Sequence, residues 1–193
     1  ATSISESSLK SFLMTHQSCV GSGFRLTGNC GYGGDACNSC DGLRDVDWAQ
    51  HTPATAHTPD NFTRVNCWPD SYDDPCGYEG HCGAAVMTEA VWDLANRDLP
   101  AMGIDQDTAW MLTEQLWYGS RSTATAGFTC NTGAIPRTSD GCAVGSLYNV
   151  IRAIDEVDGN LANGTPHGAA IFDALNRHAI ACGSAGGTNS NNA

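Results

Sequence analysis

Lysine is almost missing from this chain. Lys10 stands alone with eight scattered arginines, so 9 basic side chains face 21 acidic ones and the formal charge is -12. Without a basic patch, attraction to a phosphate backbone is weak or repulsive, which excludes nucleic acid as the expected partner. Long apolar runs are missing too, and nothing approaches the roughly 20 residues of a membrane-spanning helix. The start, Ala1-Thr2-Ser3, has no charged leader followed by an apolar stretch, so a secreted form would already have lost its signal. Leu, Ile, Val and Phe together number 31, about 16% of 193 residues. With this net charge, so thin an aliphatic set points to disorder unless something else holds the chain.

Several catalytic patterns are also absent. There is no H-E-x-x-H helix, the spacing that turns two histidines toward one zinc. A Gly-x-Ser-x-Gly elbow and a Gly-rich phosphate loop are lacking as well.

What is present offsets the thin core. Ten cysteines, five Trp and five Tyr argue for a folded, cross-linked chain. An even cysteine count of this density fits an oxidising, extracellular compartment and up to five disulfides, each contributing on the order of 2–4 kcal/mol. The lone CxxC, Cys37-Asn38-Ser39-Cys40, reads as disulfide-forming, with half of a zinc site as its alternative. Local pairings are the economical expectation for Cys30, Cys37, Cys40, Cys67, Cys76 and Cys82, and Cys130 is expected to pair with Cys142.

The fold class is mainly α, a disulfide-stapled set of about five helices with long irregular loops. Ser3 and Glu6 form a capping box ahead of Leu9, Phe12 and Leu13, predicting a helix to about residue 19. Residues 20–80 are dense in Gly, Pro, Asn and Asp and show no helical period. From residue 81 to Pro100 the period returns, with Val86, Ala90, Val91 and Leu94 on a stripe and Glu89, Asn96 and Arg97 off it. Asp105 is the expected N-cap of a helix carrying Trp110, Leu112, Leu116 and Trp117 to Gly119. Another helix is predicted over about 144–154, with Leu147, Val150, Ile151 and Ile154 facing the core. Thr165 as N-cap and Pro166 at the first position open the last helix. Residues 1–182 thus read as one domain and 183–193 as a flexible Gly/Ser/Asn tail.

Among the histidines, His51 and His57 lie six apart in a Pro-rich loop and read as solvated, with a metal pair as the alternative. His16 and His178 read as partly buried packing residues on helices, and His167 as a neutral residue orienting the preceding loop. The run 155–164 concentrates hard oxygen ligands, so Asp155, Asp158 and Asn160 are candidate calcium ligands, with a plain Asx-rich turn as the equal alternative. Asp41, Asp45 and Asp47 form a weaker candidate metal cluster. Asn61-Phe62-Thr63 and Asn163-Gly164-Thr165 match glycosylation sequons.

Six ordered blocks carry a resemblance. They are Cys19-Val20-Gly21, Asn29-Cys30-Gly31-Tyr32-Gly33-Gly34-Asp35-Ala36-Cys37, Gly42-Leu43-Arg44-Asp45-Val46-Asp47-Trp48, His81-Cys82, Glu89-Ala90-Val91-Trp92-Asp93-Leu94 and Asp158-Gly159-Asn160-Leu161-Ala162-Asn163-Gly164-Thr165-Pro166-His167. Together, from about residue 19 to 182, they resemble secreted bacterial zinc metallopeptidases related in layout to the thermolysin-like gluzincins. The resemblance implies the helical C-terminal lobe of such an enzyme, a zinc cofactor, and a protein or peptide substrate. It also implies the N-terminal catalytic lobe of the same precursor as partner, and His81 as donor to the oxyanion of the tetrahedral intermediate. Three departures accompany it. The H-E-x-x-H helix is absent, which removes two zinc ligands and the general base. The third ligand should fall near Ile4, and Glu6, the nearest candidate, is two positions away, about 200° around a helix. For the carboxylate that orients the histidine, only Glu79, Asp74 and Asp73 are on offer. The reading is therefore a peptidase lobe without catalysis of its own, with a stand-alone secreted binding or assembly module as the alternative.

Overall fold

A computed structural model of the chain describes residues 2–23, 36–37, 40–63, 75–77, 80–131 and 138–183, with side chains in the first helix from Leu9 onward. The architecture is mainly α. Its helices are α1 (Thr2–Thr15), α2 (Gly80–Asp93), α3 (Gln106–Ser120), α4 (Leu147–Asp155) and α5 (Gly168–Arg177). Three two-stranded antiparallel pairs accompany them: β1 (Cys19–Val20) with β3 (Arg44–Asp45), β2 (Ala36–Cys37) with β4 (His51–Thr52), and β5 (Thr129–Asn131) with β6 (Thr138–Asp140).

The centre is α2. It packs on α1 and α5, and the π-helical turn Leu94–Asp98 that prolongs it packs on α3 and α5, while α4 closes the set against α3 and α5. Most of the described aliphatic residues are buried, while Val144, Ile154, Val157 and Leu161 are exposed. Leu9, Phe12, Leu13, Leu94, Leu99, Leu147, Ile151, Ile171, Leu175 and Ile180 are all but inaccessible, each contributing on the order of 1.5–3 kcal/mol. Phe12, Trp92 and Trp110 join α1, α2 and α3 through ring centroids 5.5–6.1 Å apart.

Several boundaries differ from the sequence reading. Because α1 is already helical at Thr2, Ser3 lies inside it rather than capping it, and the helix stops at Thr15 where His16 turns to φ 53°. Helix α2 does not end at Pro100. The widened turn over 94–98 leads into a short α segment, Leu99–Ala101, and the Gln106 amide donates to the Ala95 carbonyl at 2.9 Å. Asp105 caps α3 as its sequence predicts, accepting from the Thr108 amide at 3.1 Å. Helix α4 starts at Leu147 with Ser146 as its cap, and Ile154 lies at the exposed rim rather than in the core. The N-cap of α5 is His167, not Thr165.

The described disulfides are Cys19–Cys40, Cys76–Cys130 and Cys142–Cys182, and Cys82 is disulfide-bonded as well. The expected Cys130–Cys142 bridge does not form. In the β5–β6 ladder Cys130 faces Ser139, so Cys142 lies three residues further along, roughly 10 Å at strand spacing and beyond disulfide reach. Two of the six cysteines given local pairings instead bond outside their group, Cys40 to Cys19 and Cys76 to Cys130, and the bond at Cys40 removes the zinc reading of the CxxC. Cys30 and Cys67 lie outside the described residues. The three described bridges span 21, 54 and 40 residues, and closures of that size restrict the unfolded chain by about 3–4 kcal/mol each. Gly42 is needed beside the first: a Cβ there would stand 2.4 Å from the Val20 carbonyl oxygen.

Candidate functional site

The loop between β3 and α2 carries two imidazoles into the interior. His51 is held by the β2–β4 ladder, opposite Cys37. Six residues on comes His57, and just after it Thr58 and Asn61 cap the π-helical turn Pro59–Thr63: the Asn61 side-chain oxygen accepts from the Thr58 amide at 2.7 Å, and the Thr58 hydroxyl accepts from the Asn61 amide at 3.1 Å. Pro59 stands at the first position of the turn, where its missing N–H costs nothing. The turn packs on α2 and buries Phe62, whose ring stacks on His57 with centroids 4.0 Å apart.

From the other side α2 presents Glu89, 2% exposed. Its Oε1 lies 2.6 Å from His57 Nδ1 and 3.9 Å from His51 Nδ1, while Oε2 accepts from the His57 amide at 3.1 Å. One donor atom from each of His51, His57 and Glu89 falls within 4.8 Å of the others, close enough to hold a metal ion, and these three form the one such cluster among the described residues. His51 Nε2 donates to the Asp45 carbonyl at 2.8 Å, which leaves the lone pair on Nδ1 and turns it inward. That Nδ1 is buried without a hydrogen-bond partner.

Behind this cluster, His178 is wholly buried with Nδ1 2.8 Å from the His57 carbonyl oxygen and Nε2 3.1 Å from Asp93 Oδ2. Both atoms are acceptors, so the ring donates twice. Asp93, one turn beyond Glu89, also receives the Trp48 indole N–H at 2.9 Å, Arg97 at 2.7 Å and Arg177 at 2.6 Å. Burial alone would raise its carboxyl, but the His178 hydrogen bond and charge, then Trp48 and Arg97, overcome that and hold it below the usual range. Arg177 forks onto Asp98, with NH1 at 2.9 Å and NH2 at 2.7 Å, and these bonds raise its affinity for its proton.

The sequence-derived candidates fall into three groups. His51 and His57 are not solvated; they are 5% and 8% exposed, because the capped turn folds the loop onto α2. Glu89, off the apolar stripe, is buried all the same, since α2 is covered on its polar side too. His16 lies beyond α1, exposed but stacked on Trp110 at 4.4 Å.

The second group is the loop after α4. Both oxygens of Asp155 are taken by His167, the backbone amide at 2.7 Å and Nδ1 at 2.6 Å, so His167 does tie down the segment before α5. Asp158 accepts from the Asn160 amide and the Asn163 side chain at 2.9 and 2.8 Å, and Asn160 accepts from the Ala162 amide at 3.2 Å. The oxygens offered there are engaged by the loop's own donors. Asp41, Asp45 and Asp47 likewise serve separate partners: Asp41 accepts from Ser22 and Gly23, Asp45 from the Asp47 amide, and Asp47 caps the turn at Trp48 and pairs with Arg97.

The third group belongs to the family resemblance. His81 stands half-buried in the first turn of α2. Glu6 lies in α1 with its side chain outside the described residues, as are Asp73, Asp74 and Glu79. With no H-E-x-x-H in the sequence, the zinc-binding helix that the resemblance implies is absent from these residues. Compared with known proteins, the chain matches no family pattern, no curated protein and no solved structure.

A signal for the buried cluster was present in the sequence: His-Thr-Pro occurs twice, at 51–53 and 57–59, and Glu89, Asp93 and Arg97 follow at intervals of four, one face of a helix.

Proposed function

We propose that these residues are the helical C-terminal lobe of a secreted zinc metalloendopeptidase, a lobe that hydrolyses nothing by itself. The observation that supports this is the pairing of α1 with α2. These two helices, which carry Glu6, the nearest candidate for the family's third ligand, and His81, pack directly against one another. His81 occupies the first turn of α2, the helix end whose dipole favours an approaching negative charge. The disulfides fit an oxidising compartment, and no described helix is long and apolar enough to cross a membrane. In this reading the other lobe brings the zinc-binding helix, and the substrate is a protein or peptide.

The test is a peptidase assay on this chain and on its natural precursor, with and without chelator. The chain alone should leave an unfolded protein substrate intact even with added zinc. The precursor should cleave it in a chelator-sensitive way, and His81→Ala should slow that cleavage by about 100-fold or more, as loss of an oxyanion donor does. Chelator-sensitive cleavage by the 193 residues alone would overturn the reading. So would a native mass equal to this chain with no associated fragment, which identifies the stand-alone binding module instead.

A further inference from the structure

We propose that His51, His57 and Glu89 bind a zinc-class divalent cation, and that this ion clips the loop between β3 and α2 onto the central helix. The site is separate from the hydrolytic zinc of the family resemblance: it uses neither Glu6 nor His81, and it lies inside the lobe.

Charge is the first argument. A carboxylate 2% exposed needs a compensating charge. Among the described residues the polar partners of Glu89 are the His57 amide and three imidazoles, at 3.1, 2.6, 3.6 and 3.9 Å, and the doubly donating one, His178 at 3.6 Å, is shared with Asp93. One turn away, Asp93 has two arginines. A divalent ion supplies Glu89 with a counter-charge that it does not share.

The donor set is the second. Two imidazole nitrogens and one carboxylate oxygen suit zinc and its neighbours rather than calcium, which takes six to eight oxygens. In a tetrahedral site with metal–ligand bonds of about 2.0–2.1 Å, donor atoms stand roughly 3.3 Å apart. Glu89 Oε1 lies 2.6 Å from one nitrogen and 3.9 Å from the other, so both of these distances lie within about 0.7 Å of that spacing.

The supports are the third. His51 Nδ1 is buried, unpartnered and aimed into the cluster because Nε2 is tied to the Asp45 carbonyl, the outer hydrogen bond that ligating histidines commonly make. Glu89 Oε2 is held by the His57 amide, leaving Oε1 toward the nitrogens, and His178 fixes the His57 backbone from behind. His178 is a positioning residue, since both its nitrogens are engaged. With all three ligands nearly closed to solvent, the ion's role is structural.

Metal binding to the intact, disulfide-bonded chain tests this directly. After dipicolinate treatment and dialysis against zinc, the protein should retain about one equivalent, and Co²⁺ should give visible d–d bands of a low-coordinate N/O site. Zinc should raise the Tm by several degrees, reversibly with chelator. His51→Ala and Glu89→Gln should each weaken binding by at least about 100-fold, whereas Asp158→Asn should leave it unchanged. The cobalt titration uses the wild-type chain, so a variant that fails to fold does not leave the question open. Retention well below one equivalent with no Tm response, or unchanged binding in folded His51→Ala and Glu89→Gln, would overturn the site. None of these readouts involves peptide cleavage, so this proposal and the peptidase reading fail separately.

Discussion

Glu89 and Asp93 are the same kind of group one turn apart on α2, each almost sealed from water, yet their surroundings are opposite. Asp93 is overcompensated: Arg97, Arg177, His178 and the Trp48 indole converge on two oxygens. Among the described residues Glu89 meets imidazoles and one backbone amide. A buried carboxylate whose hydrogen bonds and charge are both satisfied fixes the packing of the elements around it, here β3's following turn, α2 and α5. One whose nearest cation is shared with a neighbouring carboxylate marks a place where a further charge from outside belongs. The difference separates two roles that burial alone would leave indistinguishable.

The largest test of that contrast is Asp93→Ala. It takes one carboxylate from two guanidinium groups, which keep Asp47 and Asp98, and leaves the buried His178 Nε2 without its acceptor, and the expected loss is about 3 kcal/mol in urea unfolding, the low end of the range for breaking a buried ion pair from one side. Asp93→Asn adds a pH signature. Because the folded state holds this carboxyl below its usual range, its contribution is complete above the unfolded value of about 4 and is lost as pH falls through the lower folded one. The wild type should therefore lose stability more steeply below about pH 4 than the variant. Equal slopes would show that Asp93 is not compensated as drawn. Next in size is Arg177→Met, which takes the forked donor from Asp98 and one donor from Asp93, with an expected cost of about 2 kcal/mol because the arginine is partly solvated.

How far the sequence reaches is itself clearest on α2. The helix, its apolar stripe and the Asp105 cap of the next helix follow from 3.6-residue periodicity and local hydrogen bonding, which short windows contain. Five helices are legible for that reason. The burial of Glu89 is not, because it depends on a loop 30 residues earlier folding back, and that depends on a strand pair at Cys37 and a capped turn at Thr58. Long-range closure defeats local reading again at Cys130, whose partner Cys76 is 54 residues away while Cys142 looked near. In the run 155–164 composition offers a cation site and an Asx-rich turn alike, and the fold shows the Asx-type bonds to neighbouring amides. Proximity in sequence finds caps and turns, and a site assembled from β4, a loop and a helix needs the fold.

The smallest expected effect is also the sharpest. In chelator, Glu89→Gln should change stability by no more than about 1 kcal/mol, because the amide oxygen still accepts from His57 and an uncompensated charge has been removed along with its attraction to the imidazoles. With zinc, the wild type should gain several degrees in Tm and the variant nothing. A metal-free Glu89→Gln that falls as far as Asp93→Ala would mean that a protonated imidazole already neutralises Glu89 as fully as the arginines neutralise Asp93. The two carboxylates would then be equivalent, and the case for an ion at one of them would lose its first argument while the orphaned His51 Nδ1 still required a partner.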